Sequence, residues 1–450
     1  MSTTLERDEE LTALVQQLAE EHSTPGVSVG VLHRGRSYAA PVGVTSTADP
    51  LPVDGDTLFM IGSTSKTFTA TALLALVDEG GLSLTDRIID HLPEFRLRDE
   101  QAARTVTVEH LLNHTSGWRG DLHPDTGWGD DALQQALAAI ADAPQDNPPG
   151  TLASYSNSGF LLAGHLLATL RKSTYEQAVR ELVLEPLKLA DSHYLPWETA
   201  NRRHAVGHIV QDGVATPVLP YPLHRSTNPA GGLSSSLRDQ LSYASYHLTG
   251  ATTGTPPLRD ATRLRMQQPT IGARSTIDGI GLSWLLSHHG DVRLVTHGGN
   301  VSNLQTSTFV LAPDHDFAVT VMTNTKQGPA IGARVLAWAL ERFLGVGAQP
   351  AMPTVPCQPG ELAGTYDLGP YAWGLTETEG RLYVELRVPD DVPEEVRIAF
   401  TSPAKELVAV ARDVYALASD PTTPVLDVRR SADGGIDGVV HGMRFARRAG

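Results

Sequence analysis

The chain has 450 residues, 41% of them hydrophobic and 19% charged, a globular composition with apolar material for two or three domains. Lys and Arg number 35 against 51 Asp and Glu, for a formal net charge of −16. A surface this acidic repels phosphate backbones and anionic lipid, so neither nucleic acid nor membrane is an expected partner, and the most apolar run, 160–170, is shorter than the ~18 residues of a membrane span.

Residues 1–10 hold only Met1 and Leu5 among charged and hydroxyl side chains, without the basic and apolar stretches of a secretory signal. The single Cys357 permits no internal disulfide, so the expected location is a reducing cytoplasm. Apolar spacing at Leu11, Leu14, Val15 and Leu18 predicts an amphipathic helix over 6–21. A Val- and Gly-rich stretch, 26–32, then Arg34-Gly35 and a second run, 38–44, predict a β-hairpin. Helical spacing returns over 64–78 and stops at Glu79-Gly80-Gly81. From about 85 to 265 helical patterns dominate, at 108–112, 132–141, 160–170, 175–184 and 237–248. Strand patterns resume at 282–287, 292–296, 306–311 and 318–323, and a helix over 330–344 follows. This order predicts an α+β domain over residues 1–345: an antiparallel sheet flanked by helices, with an inserted helical lobe. The uncharged, Pro- and Gly-rich stretch 346–359 reads as a linker. Short strand candidates at 362–368, 382–388, 396–400, 407–410, 425–430 and 439–445, with a turn at Ala432-Asp433-Gly434-Gly435, make 360–450 a small all-β domain, expected to be a barrel.

Three short motifs carry chemistry. Ser63-Thr64-Ser65-Lys66 stands where a strand-like segment enters the 64–78 helix. A Ser in the first turn feels the positive end of the helix dipole, and residues i and i+3 share a face, so the Lys66 amine reaches the Ser63 hydroxyl. The uncharged stretch 67–77 buries that amine and lowers its pKa toward the range useful for proton transfer. A second Ser-x-x-Lys, Ser402 to Lys405, contains Pro403 in a turn of the β domain and is a chance match. Tyr155-Ser156-Asn157 is the one Tyr-x-Asn among eleven tyrosines; it follows the rigid Pro148-Pro149-Gly150 and precedes a helix. His297-Gly298-Gly299 closes the strand at 292–296. Gly26-Val27-Ser28-Val29-Gly30 formally matches a nucleophile elbow, but reads as a strand entering a hairpin. With no His-Glu-x-x-His, no thiol cluster and no Gly-rich strand–helix loop, neither metal nor cofactor is expected. Trp118 and Trp128 either line a cleft or cover the core; Trp118 is kept as a substrate-binding candidate.

In this order, on a strand–helix junction, a loop and a strand end, the motifs resemble the nucleophile, loop and β-strand elements of the serine β-lactamase and penicillin-binding-protein superfamily. Leu111-Leu112-Asn113-His114-Thr115-Ser116-Gly117, Pro149-Gly150 and Asn228-Pro229-Ala230-Gly231-Gly232-Leu233 resemble its class C β-lactamase, esterase and D-aminopeptidase branch, over roughly residues 8–345. The resemblance implies Ser63 as nucleophile, Tyr155 and Lys66 sharing the base role, and Asn157 orienting Lys66 and the substrate. It further implies an oxyanion hole from the backbone N–H groups of Ser63 and Asn300, with Gly298 and Gly299 along the substrate. His297 departs from the Lys usual in β-lactamases. Fractionally charged at neutral pH, it is a poor holder of a β-lactam carboxylate, though able to hydrogen-bond Tyr155.

The C-terminal domain, opening Leu362-Ala363-Gly364-Thr365-Tyr366, resembles the lipocalin-like domain of some members. The whole arrangement, with Pro25-Gly26-Val27 and Leu51-Pro52-Val53-Asp54, resembles the penicillin-binding-protein-type thioesterases, stand-alone peptide cyclases of nonribosomal assembly lines. That resemblance implies a peptidyl thioester on a carrier protein as donor and partner, with a D residue favoured at its C-terminus. It also implies an acyl-Ser63 intermediate, released by the peptide's own N-terminal amine as a head-to-tail ring. A cytosolic esterase or D-stereospecific aminopeptidase uses the same chemistry and stays open; a non-catalytic sensor does not need Ser63, Lys66 and Tyr155 intact. Period-2 alternation along 439–447 sets Val439, His441, Met443 and Phe445 toward the barrel interior and Val440, Gly442, Arg444 and Ala446 outward. Arg444 is expected to face the cleft and bind a peptide carbonyl or carboxylate, with Arg447 and Arg448 as rivals.

Overall fold

The computed structural model describes residues 4–219, 221–273, 277–369, 371–389 and 403–449. Its frame is a nine-stranded sheet with the spatial order Leu5–Arg7, Arg36–Gly43, Gly26–His33, Phe317–Thr323, Gln305–Ala312, Val292–Val301, Leu285–His289, Gly279–Ile280, Ile271–Gly272. Every pair is antiparallel except the first. Strands distant in sequence thus lie side by side, with Val29 of Gly26–His33 opposite Val321 of Phe317–Thr323. Both strands are buried on both faces, in keeping with apolar runs broken only by small polar residues, Ser28 in one and Thr320 in the other. Helices Glu9–Glu21 and Gly328–Ala339 cover one face of the sheet and Leu237–Thr249 the other, so the sheet separates two apolar cores. Gly26–Gly30 lies within a central strand, which leaves no room for an elbow there.

The first helix begins at Glu9, not near residue 6. Asp8 caps it, accepting the Leu11 N–H at 2.9 Å, and the residues before the cap, Leu5–Arg7, extend as an edge strand parallel to Arg36–Gly43. The inserted lobe holds the helices Val108–Leu112, Ala132–Ala141, Asn157–Arg171 and Tyr175–Val179, where the sequence pattern puts them. Helix Ser65–Asp78 is buried from Ser65 through Leu76, so over those residues no face of it meets solvent. Among the described residues no helix is long and apolar enough to cross a membrane.

The C-terminal part is a closed, all-antiparallel, eight-stranded barrel, sealed where Gly364–Asp367 pairs with Arg444–Arg448. Tyr366, Leu375, Leu382, Val384, Leu407, Leu426, Val439 and Ala446 belong to its core. Ala372–Thr378 and Val414–Leu417 are strands the sequence pattern does not announce, and the candidate at 396–400 lies outside the described residues. The stretch 346–359 runs along the barrel, with the N–H groups of Met352 and Val355 donating to Pro421 and Ala409 carbonyls, both at 2.9 Å.

The reading of 439–447 as one strand is corrected. Ile436–His441 and Arg444–Arg448 are two strands joined by Gly442 and Met443, whose φ values of +56° and +63° make a type I′ turn. The turn resets the alternation: Val439 pairs with Ala446 in the core, and Val440 with Phe445. This hairpin docks on the first domain. The Tyr155 N–H donates to Met443 O at 2.8 Å, the Phe445 N–H donates to Ser154 Oγ at 3.1 Å, and Met443 packs with Ala153, Ile277, Ile280 and Leu285.

Candidate active site

The strand Phe59–Met60 leads into the turn Gly62–Thr64, which feeds Ser63 into the start of helix Ser65–Asp78. The turn is tight. Gly62 has φ +52°, and a Cβ there would sit 2.7 Å from the backbone nitrogen of Asn300. Any side chain is excluded, and the Asn300 N–H is thereby held against the turn that carries Ser63. At Gly299 a Cβ would meet Ile61 O at 1.8 Å.

Lys66 is fully buried one helical turn beyond Ser63. Its Nζ is 3.0 Å from Ser63 Oγ, 2.7 Å from Asn157 Oδ1 and 2.6 Å from Ala230 O. Burial, then the Arg444 charge, hold its pKa well below the ordinary lysine value, against the opposing pull of Asp121. A neutral amine has two N–H bonds and one lone pair. The Asn157 and Ala230 oxygens can only accept, so they take the two N–H groups and the lone pair is left facing the Ser63 hydroxyl. This is the arrangement of a base and its nucleophile.

Tyr155 completes the group. Burial pushes its pKa up, while a hydrogen bond with Ser63 and the Arg444 charge work the other way. Its ring stacks on His114, centroids 4.3 Å apart, and lies 4.9 Å from Lys66 Nζ. His114, within the 111–117 motif, holds φ +59°, and its Nδ1 accepts the Ser156 N–H at 3.1 Å. His114 therefore supports Tyr155 from below, a role the motif alone does not reveal.

His297 is buried, its Nδ1 2.8 Å from Gly298 O, and its Nε2 has no hydrogen-bond partner among the described residues. Burial first, and the nearby Lys66 second, push its pKa down to about 3. It is neutral, not fractionally charged, at pH 7. The expected bond to Tyr155 is not made; the ring centroids are 6.1 Å apart. Gly298 is exposed on the same strand edge.

Asn157 bridges the Lys66 amine and the Asp121 carboxylate. Its Oδ1 faces Lys66, while Nδ2 donates to Asp121 Oδ1 at 2.7 Å. Asp121 is also gripped by Arg444 of the barrel, Nε on Oδ2 and Nη2 on Oδ1 at 3.1 Å. The Arg444 guanidinium lies over the Tyr155 ring at 4.9 Å. Its two rivals turn elsewhere: Arg447 binds Asp437 and the Asp146 carbonyl, and Arg448 the Ala363 carbonyl. Trp118 does not line the cleft. It is buried in the main core with its Nε1–H given to Ser158 Oγ at 2.9 Å, because the indole needs both apolar cover and one acceptor. Asp121 carried no local sequence signal.

The family model described as Beta-lactamase matches residues 11–341. The chain is 33% identical over 363 residues to Penicillin-binding protein 4 of Amycolatopsis lactamdurans, covering 78% of this chain and 95% of that one. Among solved structures it is similar to SurE, with a TM-score of 0.77 at 26% identity over 98% of this chain and 99% of that one, and SurE has also been solved with D-Leu. The fold is shared, too, with the D-amino acid amidase of Ochrobactrum anthropi, TM-score 0.61 at 23% identity over 74% of this chain and 99% of that one. The match therefore runs through eight of the nine sheet strands and the lobe, which carry Ser63, Lys66, Tyr155 and His297, and the chain belongs to the beta-lactamase family, within the serine β-lactamase and penicillin-binding-protein superfamily of serine hydrolases and acyltransferases.

Proposed function

We propose that the protein takes a peptidyl thioester from a carrier protein of a nonribosomal assembly line onto Ser63 and releases it as a head-to-tail cyclic peptide. Ser63 Oγ gives its proton to Lys66 Nζ and attacks the thioester carbon, and the developing oxyanion meets the N–H groups of Ser63 and Asn300. The C–S bond then breaks, and the proton passes through Lys66 or Tyr155 to the departing sulfur. In the second half the peptide's N-terminal amine attacks the ester and yields a proton to Lys66. Ser63 recovers that proton as its C–O bond breaks. Water competes at ~55 M, but a well-oriented intramolecular amine has an effective molarity of about 10⁵–10⁸ M.

The observation that carries this reading is the barrel's Arg444, lying 4.9 Å over the Tyr155 ring. Among the described residues its guanidinium gives N–H groups to Asp121 and the Gly442 carbonyl, and the two that remain suit the carbonyls of a peptide folding back on its own ester. Neutral His297 supports it further, since it offers no cation to a β-lactam carboxylate. The D-Leu held by SurE supports a D residue at the donor C-terminus.

The test is a peptidyl thioester ending in a D residue, with products read by mass. The expected major product is one water lighter than the linear acid, and Arg444→Ala lowers the cyclic share. A linear acid from every peptide tried replaces the cyclase by the second reading, a hydrolase of D-amino acid esters or amides, which the fold shared with the D-amino acid amidase favours.

A further inference from the structure

An asparagine side chain has nearly the same shape either way round, so its direction is set by what surrounds it. One end of the Asn157 amide lies 2.7 Å from Lys66 Nζ; the other lies 2.7 Å from Asp121 Oδ1 and 3.4 Å from His123 Nε2. An ionised carboxylate only accepts. It therefore keeps Nδ2 on its own side and turns Oδ1 toward the lysine. In the opposite direction an Asn157 N–H would point at Lys66 and occupy the lone pair that faces Ser63.

We propose that Asp121 is a positioning residue for the catalytic base: by accepting only, it obliges Asn157 to accept from Lys66 and leaves the lysine lone pair free for Ser63. The barrel takes part through Arg444, which binds both carboxylate oxygens. Burial pushes the Asp121 pKa up, but the charge and hydrogen bonds of Arg444 hold it below the ordinary carboxylate value. A protonated Asp121 could donate to Asn157, and the direction would be lost. His123, whose pKa burial lowers, adds a second acceptor on the same side when neutral. The inference rests on Ser63 and Lys66 as nucleophile and base; it is independent of the acyl acceptor.

A fluorophosphonate tests it without the natural substrate. Ser63 Oγ bonds to phosphorus, fluoride leaves, and the hydroxyl proton goes to Lys66. Labelling rates are followed from pH 5 to 10 for the wild type, Asp121→Asn and Asp121→Glu, with circular dichroism confirming that each is folded. The groups facing Lys66 are Asp121, Arg444, His114, His123, His297 and Tyr155. Asp121→Asn is nearly isosteric but able to donate, so its plateau rate falls about tenfold or more. Its acidic limb also moves to lower pH, because an anion near Lys66 is gone and an N–H now sits on the lone pair. Asp121→Glu, again an acceptor only, recovers most of the rate. Asp121→Asn within twofold of wild type, a rate loss with an unmoved limb, or a Glu variant as slow as the Asn variant each overturns the proposal. Labelling at a residue other than Ser63 instead removes the nucleophile itself, and a failed cyclisation assay touches neither.

Discussion

Lys66 can take a proton only while it is neutral, and it can take one from Ser63 only while its lone pair points there. Burial supplies the first condition and the Asn157 and Ala230 oxygens the second. Ser63→Ala is accordingly expected to leave no covalent adduct when intact protein is weighed after exposure to a peptidyl thioester. Lys66→Ala and Tyr155→Phe each lower the acylation rate by about 10²–10⁴-fold, and the double variant is little slower than the slower single one, because the groups act as a unit. Additive losses in the double variant would show two independent routes for the proton. Ser63 and Lys66 were legible in the sequence because they meet within one helical turn, a distance that spacing alone fixes, whereas Tyr155, Asn157 and His297 were placed by the family resemblance. Asp121 was not legible, since the guanidinium that gives it meaning stands 323 residues away.

The turn at Gly62 and the strand Val292–Val301 form one mechanical unit, pressed together at the Asn300 nitrogen. Gly62→Ala places a methyl against that nitrogen and demands φ +52° of a residue that resists it. The expected result is a folded protein whose Ser63 acylates about 10²–10³-fold more slowly, the range lost with one oxyanion donor; wild-type rates would detach Asn300 from the mechanism. Elements with strong periodicity, such as Ala132–Ala141 and Phe317–Thr323, could be placed from sequence. The misses have local causes. Ala372–Thr378 contains Gly374, packed against the Arg387 guanidinium, and a glycine inside a strand weakens its pattern. Val414–Leu417 is four residues long, with register shifts on both sides. The Gly442-Met443 turn carries Met at a left-handed position where Gly or Asn would have announced it.

Across the molecule, pH acts on stability through buried groups of opposite sense, and helix Leu237–Thr249 carries one of each. His247 is buried, neither ring nitrogen bonded among the described residues, and burial pushes its pKa down to about 3. Asp239 is pushed up to about 7 by burial, although Ser192 and the Asp191 N–H donate to it. Unfolded, the two return to ~6.5 and ~3.9. The His247 contribution is complete above pH 6.5 and is lost as pH falls toward 3. The Asp239 contribution is complete below pH 3.9 and is lost as pH rises through 7. Between pH 6 and 5 the slopes oppose, each by about 1 kcal/mol per pH unit. Relative to wild type, His247→Leu therefore gains urea resistance over that step, and Asp239→Asn loses it. Parallel pH dependence in all three proteins would mean that neither group stays uncharged in the fold.

The pairing of Gly26–His33 with Phe317–Thr323 also fixes a timetable. The hydrogen bond from the Gly26 N–H to Asn324 beside it closes across 298 residues, so at ~5–20 residues per second the first strand waits about 15–60 s for its neighbour. Throughout that interval the early hairpin presents an apolar edge able to pair with any passing strand, which makes translation speed between the two segments a determinant of yield. The Met443 carbonyl that holds Tyr155 and the Arg444 that holds Asp121 emerge later still. Until residue 444 has left the ribosome, a nascent chain holding Ser63 and Lys66 is a serine with a base beside it, lacking the two contacts that set the rest of the site.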